Sequence, residues 1–265
     1  MVADKRRQEI LQLIERYGSI RISNLGKMFD VTDMTIRRDI DHLSEQGLVR
    51  RVHGGAVHEG SVHERVPNGT EQNLNLATTF LKRNREYVAQ KKNIGALAQD
   101  FVEDGKTIII DGGSTNECFA RMIDPKKKLR IITHGINIAW ILSGNENHDL
   151  FVAGGILNRL TMTFSGAEVR EIYGELNADT LFIAASGLSL DKGLTDPSWY
   201  DTSIKKTMIR ASKKVILLID SHKFNLISSR TFASIDELDC IVTDEQLDPF
   251  IGEKYTEAGV NLLLA

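Results

Sequence analysis

The stretch Thr32–Gly55, TDMTIRRDIDHLSEQGLVRRVHGG, carries the pattern from which the fold of the N-terminal part can be predicted. Thr32 and Asp33 have side-chain oxygens that suit a helix N-cap, and Gly47 is placed to end that helix in a left-handed conformation. The apolar residues between them recur at helical spacing and fall on one narrow face: Ile36, Ile40 and Leu43. The stretch therefore predicts a helix that packs on one side and exposes Arg37, Arg38 and Asp41 on the other.

A short basic hairpin is predicted directly after this helix. Two apolar-rich runs flank Gly54 and Gly55, which is a pattern typical of a tight turn between antiparallel strands. A helix with Thr and Arg in its first turns can enter the DNA major groove, and a hairpin beside it can lie along phosphates. The candidate DNA-binding residues are Thr32, Met34, Thr35, Arg37, Arg38, Arg50, Arg51, His53, Gly54 and Gly55. Taken alone, an ordinary amphipathic helix with a solvated charged face is the more common explanation of this pattern.

The residues upstream favour DNA binding. Ile10, Leu13, Ile14 and Tyr17 form a helical stripe that Gly18 ends, and Ile20 and Ile22 suggest a short strand. Ser23 is then a candidate cap for a second helix through Leu25, Met28 and Phe29. Helix, helix, turn, helix and hairpin within residues 1–60 is the order of a winged helix-turn-helix domain.

Composition limits the remaining possibilities. The 265 residues are 42% hydrophobic and 26% charged, with a net charge of −3, which suits one small and one larger domain. Residues 1–60 hold ten Lys or Arg against nine Asp or Glu, so DNA affinity must depend on where the charges lie. Two cysteines without CxxC spacing, no signal-peptide pattern and no apolar run near 18 residues lead us to expect a cytoplasmic protein that does not span a membrane.

Residues 61–92 are predicted to be a linker that ends in a helix. The segment is polar up to about residue 75, and Phe80, Leu81, Tyr87 and Val88 suggest the helix. His53, His58 and His63 recur every five residues, but without a nearby cysteine this spacing is a weak signal for metal. We expect no metal, no cofactor and no catalytic residue.

Residues 93–265 alternate short apolar runs with helical patterns. The runs begin at Thr107, Arg130, Leu150, Leu181, Val215 and Cys240 and are rich in β-branched residues, as in strands that are buried on both faces. The helical patterns between them are residues 116–123, 137–142, 167–176 and 202–212. This alternation predicts an open, Rossmann-like α/β domain with a parallel sheet.

Small and polar residues follow these strands, where open α/β sheets bind ligands. After the first strand, Asp111-Gly-Gly-Ser-Thr-Asn opens a helix and could hold an anion, although a tight turn with a Ser/Thr cap explains the pattern equally well. A lysine at another strand end could contact a phosphate. The candidate effector-binding residues are Asp111, Gly112, Gly113, Ser114, Thr115, Thr133, His134, Gly154, Gly155, Gly187, Asp201, Lys205, Asp220 and Lys223.

Both halves resemble the DeoR/GlpR-type bacterial transcription regulators. The N-terminal likeness rests on VTDMTIRRDIDHL from Val31 and GLVRRVHGGA from Gly47, and Phe80, Arg83 and Lys91 match the segment that follows in the family. The sensor domain of the family is similar to sugar-phosphate isomerases, and its motifs match Asp111–Thr115, Thr133, Gly154-Gly155, Ala178-Asp179, Lys205 and Asp220–Lys223. The chain departs from the family at His134, where Asn is usual, and at Asp201, where Glu is expected.

The resemblance implies a homo-oligomeric repressor of a carbohydrate-utilisation operon that is relieved by a phosphorylated sugar. The alternative is a sugar-phosphate isomerase-like enzyme fused to a DNA-binding module, with Asp111 and Lys205 or Lys223 as acid and base. Fusion to a DNA reader favours sensing, and no second carboxylate is clearly placed as a proton-transfer partner. A DNA-binding scaffold with an inert C-terminal domain fits poorly with so many glycine- or charge-bearing strand ends.

Overall fold

The computed structural model describes residues 6–11, 14, 19–29, 31–52, 55–58 and 80–265. The chain divides into two compact units, residues 1–68 and 69–265, and each is described by itself.

The N-terminal unit has the element order that its sequence predicts. Residues 6–11 and 14 are helical and precede β1 (Ser19–Arg21), α1 (Ile22–Phe29), α2 (Asp33–Glu45), β2 (Val49–Val52) and β3 (Gly55–His58). The strands form an antiparallel sheet in the order β1-β3-β2, so that β2 and β3 make the hairpin. This is a winged helix-turn-helix. Helix α1 starts one residue before the expected Ser23 cap, and Ile22 belongs to the helix rather than to the strand.

Helix α2 has the predicted ends. Thr32 is the N-cap, and its Oγ1 accepts a hydrogen bond from the Thr35 N–H at 3.4 Å. Gly47 follows the helix with φ 70°, a conformation that costs a residue with a Cβ about 1–2 kcal/mol. The N–H groups of Gly47 and Leu48 bond back to Ser44 and Leu43, which closes the helix end. The apolar face of α2 packs into a core of Ile10, Ile14, Ile22, Leu25, Ile36, Ile40, Leu43 and Val49.

One charged side chain shares that buried face. Asp39 is 2% exposed and accepts from Arg6 Nε at 2.6 Å and from Arg7 Nε at 3.0 Å. Both arginines belong to the first helical segment. The carboxylate therefore links α2 to the first described helical segment, and sequence analysis did not single it out.

The described part of the larger unit begins with two helical segments. Residues 80–85 are helical, and Tyr87 then adopts a left-handed conformation (φ 54°, ψ 39°) before α3 (Val88–Leu97) starts. The predicted linker helix is thus broken in two. Later helices are α4 (Ser114–Ala120), α5 (Ile136–Leu142), α6 (Ala167–Gly174), α7 (Trp199–Arg210) and α8 (Pro249–Glu257), with short 3-10 turns at Ala98–Phe101, Ser221–Lys223 and Ile235–Glu237.

A seven-stranded parallel sheet forms the centre of this unit. Its members are β4 (Thr107–Ile110), β5 (Leu129–Thr133), β6 (His148–Val152), β9 (Ala178–Ile183), β12 (Ser212–Leu218), β14 (Cys240–Thr243) and β15 (Leu262–Leu264). Their order is β15-β14-β12-β9-β4-β5-β6, and every pairing is parallel. The chain first builds outward from β4 to β6 and then returns to place β9 on the other side of β4. The order therefore reverses between β4 and β9, which is where open α/β sheets bind ligands.

The central strands are buried on both faces, as their apolar runs predict. Ile109 and Leu181 belong to one core cluster, whereas Ile108 and Phe182 belong to the other. The expectation is wrong for β6, whose Phe151 and Val152 are exposed because the strand lies at the edge of the sheet. Short antiparallel pieces complete the fold: β7 (Ile156–Asn158) with β8 (Thr163–Ser165), and β10 (Gly187–Ser189) with β11 (Gly193–Asp196) and β13 (Arg230–Ala233).

Replacing Asp39 by Ala should destabilise the N-terminal unit by about 3 kcal/mol, because it removes one partner of a buried ion pair. Denaturant unfolding followed by circular dichroism measures the change. Glu45→Ala, on the exposed side of the same helix, is the matched control and should change stability by less than about 0.5 kcal/mol. Equal effects of the two substitutions would show that the Asp39 contacts contribute little.

Candidate functional site

The carboxyl ends of the parallel strands bring several predicted residues to one edge of the sheet. Asp220 follows β12, Ala184 follows β9, Asp111 follows β4 and His134 follows β5. These four strands are neighbours in the order β12-β9-β4-β5. Residues that are more than 100 positions apart in sequence therefore line a single edge at the point where the strand order reverses.

Asp111 links the two strands on either side of this reversal. Its carboxylate is 2% exposed and accepts from the Gly112 N–H at 2.8 Å and from the Ala184 N–H at 3.1 Å. The loop after β4 is thereby fixed to the loop after β9. Two backbone N–H groups thus bind the Asp111 carboxylate, and the ammonium of a lysine lies beside it.

That lysine is Lys205, on helix α7. Its Nζ lies 2.6 Å from Ala184 O, 2.6 Å from Asp196 Oδ2 and 3.3 Å from Asp111 Oδ2. The contacts with Ala184 O and Asp196 Oδ2 are hydrogen bonds, and the contact with Asp111 is an ion pair. Burial alone would lower the pKa of Lys205, but the charges of Asp111 and Asp196 outweigh it and hold the pKa above its usual range. Lys205 is therefore charged and is bound by the protein itself.

Asp196, at the end of β11, is a residue that sequence analysis missed. Burial alone would raise its pKa, but the charge and hydrogen bond of Lys205 hold the pKa below the usual value, and Ser186 Oγ donates to Oδ1 at 2.8 Å. Sequence analysis found no second carboxylate clearly placed as a proton-transfer partner, whereas the structure places the Asp196 carboxylate against Lys205. The nine-residue separation between Asp196 and Lys205 matches neither the helix nor the strand period, so their pairing could not be predicted from spacing. The one hint in the sequence is that Asp196 is a charged residue directly before Pro197.

His134 is fully enclosed beside this cluster. Its Nδ1 lies 3.0 Å from the hydroxyl of Tyr173, and its Nε2 lies 3.7 Å from Asp111 Oδ1. Burial lowers the pKa of His134 to about 4, against the opposing influence of Asp111. Burial also raises the pKa of Tyr173 well above its usual value. At neutral pH both side chains are uncharged, and Tyr173 is a second residue that the sequence did not reveal.

The loop after β4 passes very close to its neighbours. A Cβ on Gly112 would lie 2.3 Å from the Thr163 side chain, so a larger residue does not fit. Thr133 fixes the adjoining loop, since its Oγ1 donates to Ile110 O at 2.7 Å and accepts from Gly135 N at 3.1 Å. Gly113, with φ 108°, is the N-cap of α4.

Some polar atoms at the start of α4 have no partner among the described residues. The first hydrogen bond within the helix runs from Glu117 N to Gly113 O, so the N–H groups of Ser114 and the next two residues precede it. Thr115 is 1% exposed, and its Oγ1 has no hydrogen-bond partner in the described part of the chain. Among the described residues, the loop that starts α4 therefore has hydrogen-bond donors and acceptors without partners.

The other predicted glycines differ in their surroundings. A Cβ on Gly155 would lie 2.6 Å from Ser165 O, and one on Gly187 would lie 2.3 Å from Leu226 O. These two positions allow close backbone packing. Gly154 has no heavy atom within 4 Å of an added Cβ.

Asp201 and Arg83 lie on the same side of the cluster. Asp201 is 4% exposed, with Oδ2 3.4 Å from Asn158 Nδ2 and Oδ1 unbonded among the described residues. Burial raises the pKa of Asp201. Arg83 donates to Leu160 O at 2.9 Å, and burial lowers its pKa while the charges of Asp196 and Asp201 oppose that effect.

Lys223 and Asp220 form the next group along the edge. Lys223 Nζ lies 3.3 Å from Asp220 Oδ2, and its side chain is 26% exposed, which leaves its ammonium open to a ligand. Tyr87 stacks on His222 with ring centroids 3.7 Å apart. Lys91 Nζ donates to the backbone oxygens of Arg83 and Glu86, so the break between the two helical segments is held beside this group.

In the N-terminal unit, the predicted DNA-binding residues of α2 lie away from the core. Met34 is 64% exposed, Arg37 and Arg38 are exposed, and Thr35 is half-buried beside the Thr32 cap. The backbones of Arg50, Arg51 and Gly55 lie in the hairpin strands. His53 and Gly54 lie outside the described residues.

Two further observations concern metal and membrane. Among the described residues, no three His, Cys, Asp or Glu side chains are grouped so as to hold a metal ion; His53 and His63 lie outside that set. None of the helices in the described ranges combines the length and hydrophobicity needed to cross a membrane.

The buried His134 should make stability depend on pH. Its pKa is about 4 in the folded protein and about 6.5 when unfolded, so the unfolded state binds more protons between these values. Stability from this residue is complete above pH 6.5 and is lost as pH falls to 4, by up to about 3 kcal/mol. His134→Asn should flatten this part of the melting-temperature profile, whereas His222→Asn, an exposed control, should not. An unchanged profile for His134→Asn would contradict the assignment.

Comparison with known proteins places both units in one family. Residues 6–62 match the DeoR-like helix-turn-helix domain, and residues 86–245 match the DeoR C terminal sensor domain. The HTH-type transcriptional regulator IolR of Bacillus subtilis is 30% identical over 94% of this chain and 93% of its own length. The glycerol-3-phosphate regulon repressor of Haemophilus influenzae is 28% identical over 91% and 89%.

Solved structures of the sugar-phosphate isomerase type are more distant. Ribose 5-phosphate isomerase A of Methanocaldococcus jannaschii aligns with 16% identity and a TM-score of 0.38 over 51% of this chain and 53% of the isomerase. The assignment therefore rests on the two matched domains and the full-length relatives. The chain belongs to the DeoR family of DNA-binding transcriptional regulators.

Proposed function

We propose that this regulator represses a carbohydrate-utilisation operon and that a phosphorylated sugar, bound at the edge of the parallel sheet, releases it from DNA. The name of the Haemophilus influenzae relative, a repressor of a glycerol-3-phosphate regulon, supports the first part of the proposal. The observation that carries it is the convergence of Asp111, Asp196 and Lys205 beside the loop that starts α4.

The charge distribution supports a ligand with two chemically different ends. The carboxylates of Asp196 and Asp201 would repel a phosphate, but they can accept hydrogen bonds from sugar hydroxyls. At the start of α4, backbone N–H groups and the Thr115 hydroxyl are available to an anion, and Lys223 offers a partly exposed ammonium. We infer that the hydroxyls face the carboxylates and that the phosphate meets the loop and Lys223. Lys205, which the protein itself binds, then positions the carboxylates.

The effector would act by binding two states unequally. A ligand shifts DNA binding only if its affinity differs between the free and the DNA-bound shapes of the protein. In the DNA-bound state, the exposed face of α2 would lie in the major groove, with Met34, Thr35, Arg37 and Arg38 towards the bases. The hairpin would follow the phosphates. A two-fold oligomer would place two such helices on a repeated operator.

We propose that the protein is not an isomerase. A general base works best with a pKa near the operating pH, whereas the pKa of Lys205 is held high and its ammonium is hydrogen-bonded to Ala184 O and Asp196 Oδ2. Its full-length relatives named above are regulators. The isomerase alternative makes a separate prediction. It requires the purified protein to convert the sugar phosphate to its isomer in the absence of DNA.

A thermal-shift screen of sugars against their phosphates tests the effector. Ligands that bind only the folded state raise the melting temperature by mass action, so a hit confined to a phosphorylated member is expected. Lys223→Ala and Ser114→Ala should each weaken that binding by about 10-fold or more, through loss of a charge-assisted or polar hydrogen bond, and leave DNA binding intact.

The matched control is Lys213→Ala. Lys213 lies at the start of β12, whereas Lys223 follows the end of that strand, and Lys213 pairs with Asp179. It should bind and respond as the parent does. A normal response by both site variants would mean that the pocket lies elsewhere. Hits with unphosphorylated sugars only would remove the phosphate from the proposal and direct attention to His134 and Asp201.

Arg38→Ala should weaken operator binding by about 1–3 kcal/mol if the side chain contacts a base. A gel-shift titration at fixed salt measures the loss. Arg170→Ala, an exposed arginine on α6, removes the same charge from the other unit and should bind almost normally. Binding of the Arg38 variant equal to that of the control would remove Arg38 from the reading residues.

A further inference from the structure

Strand β6 is an edge of the parallel sheet with free backbone groups. In the described part of the chain it pairs only with β5. Ala153 N donates to Thr133 O, so by alternation along the strand the N–H and C=O groups of Leu150 and Val152 point away from the sheet. Such an edge is a template for another strand.

The side chains around this edge are apolar on both faces. Leu150 and Val152 share one face of β6 with α5, and with Trp140 and Phe164 they line a groove. Phe151 points to the opposite face and is 49% exposed. On α5, Trp140 is 81% exposed, the largest exposed fraction among the large apolar side chains of the described residues. Ile156, just beyond the strand, is 73% exposed.

Sequence features that normally protect an edge are sparse here. Natural edge strands are blunted by lysine, by proline or by a covering element. Residues 148–152 read HDLFV and contain neither lysine nor proline. Three consecutive apolar residues end the strand, with exposed aromatic side chains beside it. Such a surface needs a partner.

We propose that this edge is the contact between two copies of the chain, which pair their β6 strands antiparallel about a two-fold axis and extend the sheet. The area supports this partner. Fully exposed, side chains of this size would present roughly 150–250 Å² each, so at their exposed fractions Trp140, Phe151, Val152 and Ile156 present on the order of 500 Å² together. Two copies could bury up to ~1,000 Å² of apolar side chain in addition to the paired backbone, which meets the lower limit of about 1,000 Å² for a biological interface.

Pairing of the strand with itself is also consistent with its residues. A two-fold axis at Phe151 places Leu150 opposite Val152 of the second copy, and both present outward backbone groups. Asp149 then faces Ala153 of the second copy rather than another acid. A two-fold contact repeats the same patch on both copies, which suits a strand that is apolar on both faces. The contact is independent of any effector.

Sedimentation equilibrium of the full chain tests the proposal. The wild-type protein should be a dimer or a larger even assembly, and Trp140→Glu should halve its mass or raise its dissociation constant at least 100-fold. Trp140 is largely exposed, so this variant should fold and keep its circular dichroism spectrum. Phe250→Glu, another exposed aromatic on α8, is the matched control and should assemble as the wild type does.

A second variant separates strand pairing from apolar contact. Val152→Pro removes an outward N–H without removing a hydrogen bond to β5, so it should also weaken assembly. The proposal is overturned if the wild type is a monomer at ~100 μM, because specific interfaces have dissociation constants from about micromolar to picomolar. It is equally overturned if Trp140→Glu and Val152→Pro both keep the wild-type mass. In that case another surface joins the copies.

Discussion

The buried contact between Lys205 and the carboxylates of Asp111 and Asp196 is the interaction on which the sensor unit depends. It joins the loop after β4, the loop after β9, the end of β11 and helix α7 at a single ammonium. Burying these charges is costly, and only close pairing with further hydrogen bonds compensates for it. The network therefore fixes the geometry of the sheet edge and, at the same time, leaves neighbouring groups such as Thr115 and Asp201 available. In the proposed function, this rigidity would hold the effector-binding groups in a defined geometry.

The N-terminal unit uses the same device on a smaller scale. Asp39 lies on the buried face of the recognition helix and holds two arginines of the first helical segment. The adjacent Arg37 and Arg38 point outward. In one Arg-Arg-Asp triplet, two residues are exposed, as the proposed DNA contact requires, and the third anchors the helix to the neighbouring helical segment. A triplet of charges in sequence therefore contains two distinct functions, which the 100° step of the helix separates.

Much of the fold follows from local pattern. The apolar runs at Thr107, Arg130, Leu181, Val215 and Cys240 are all strands, because a parallel sheet with covered faces demands residues of that type. The residues beyond their ends meet at one edge because parallel strands all end on the same side. The caps of α2 were also predictable, since a threonine and a glycine each have a direct steric or hydrogen-bonding reason to be there.

What sequence did not reveal depends on partners that are distant along the chain. Asp196 and Tyr173 become site residues only because β11 and α6 fold back onto α7 and the β5 loop, and no periodicity encodes those meetings. The edge position of β6 is likewise a property of strand order rather than of composition. The same applies to Lys205, which reads as a candidate phosphate contact until its acceptors are known. Local physics determines the elements, and topology determines which of their side chains meet.

The order of strands also has a consequence for synthesis of the protein. The N-terminal unit is complete by residue 68, whereas β4 acquires its second neighbour only with β9, and β9 in turn needs β12, which ends at Leu218. At a translation rate of about 5–20 residues per second, the ribosome needs about 8–30 s to cover that interval. In each new molecule the helix-turn-helix unit is therefore fully synthesised before the sheet of the sensor unit can form.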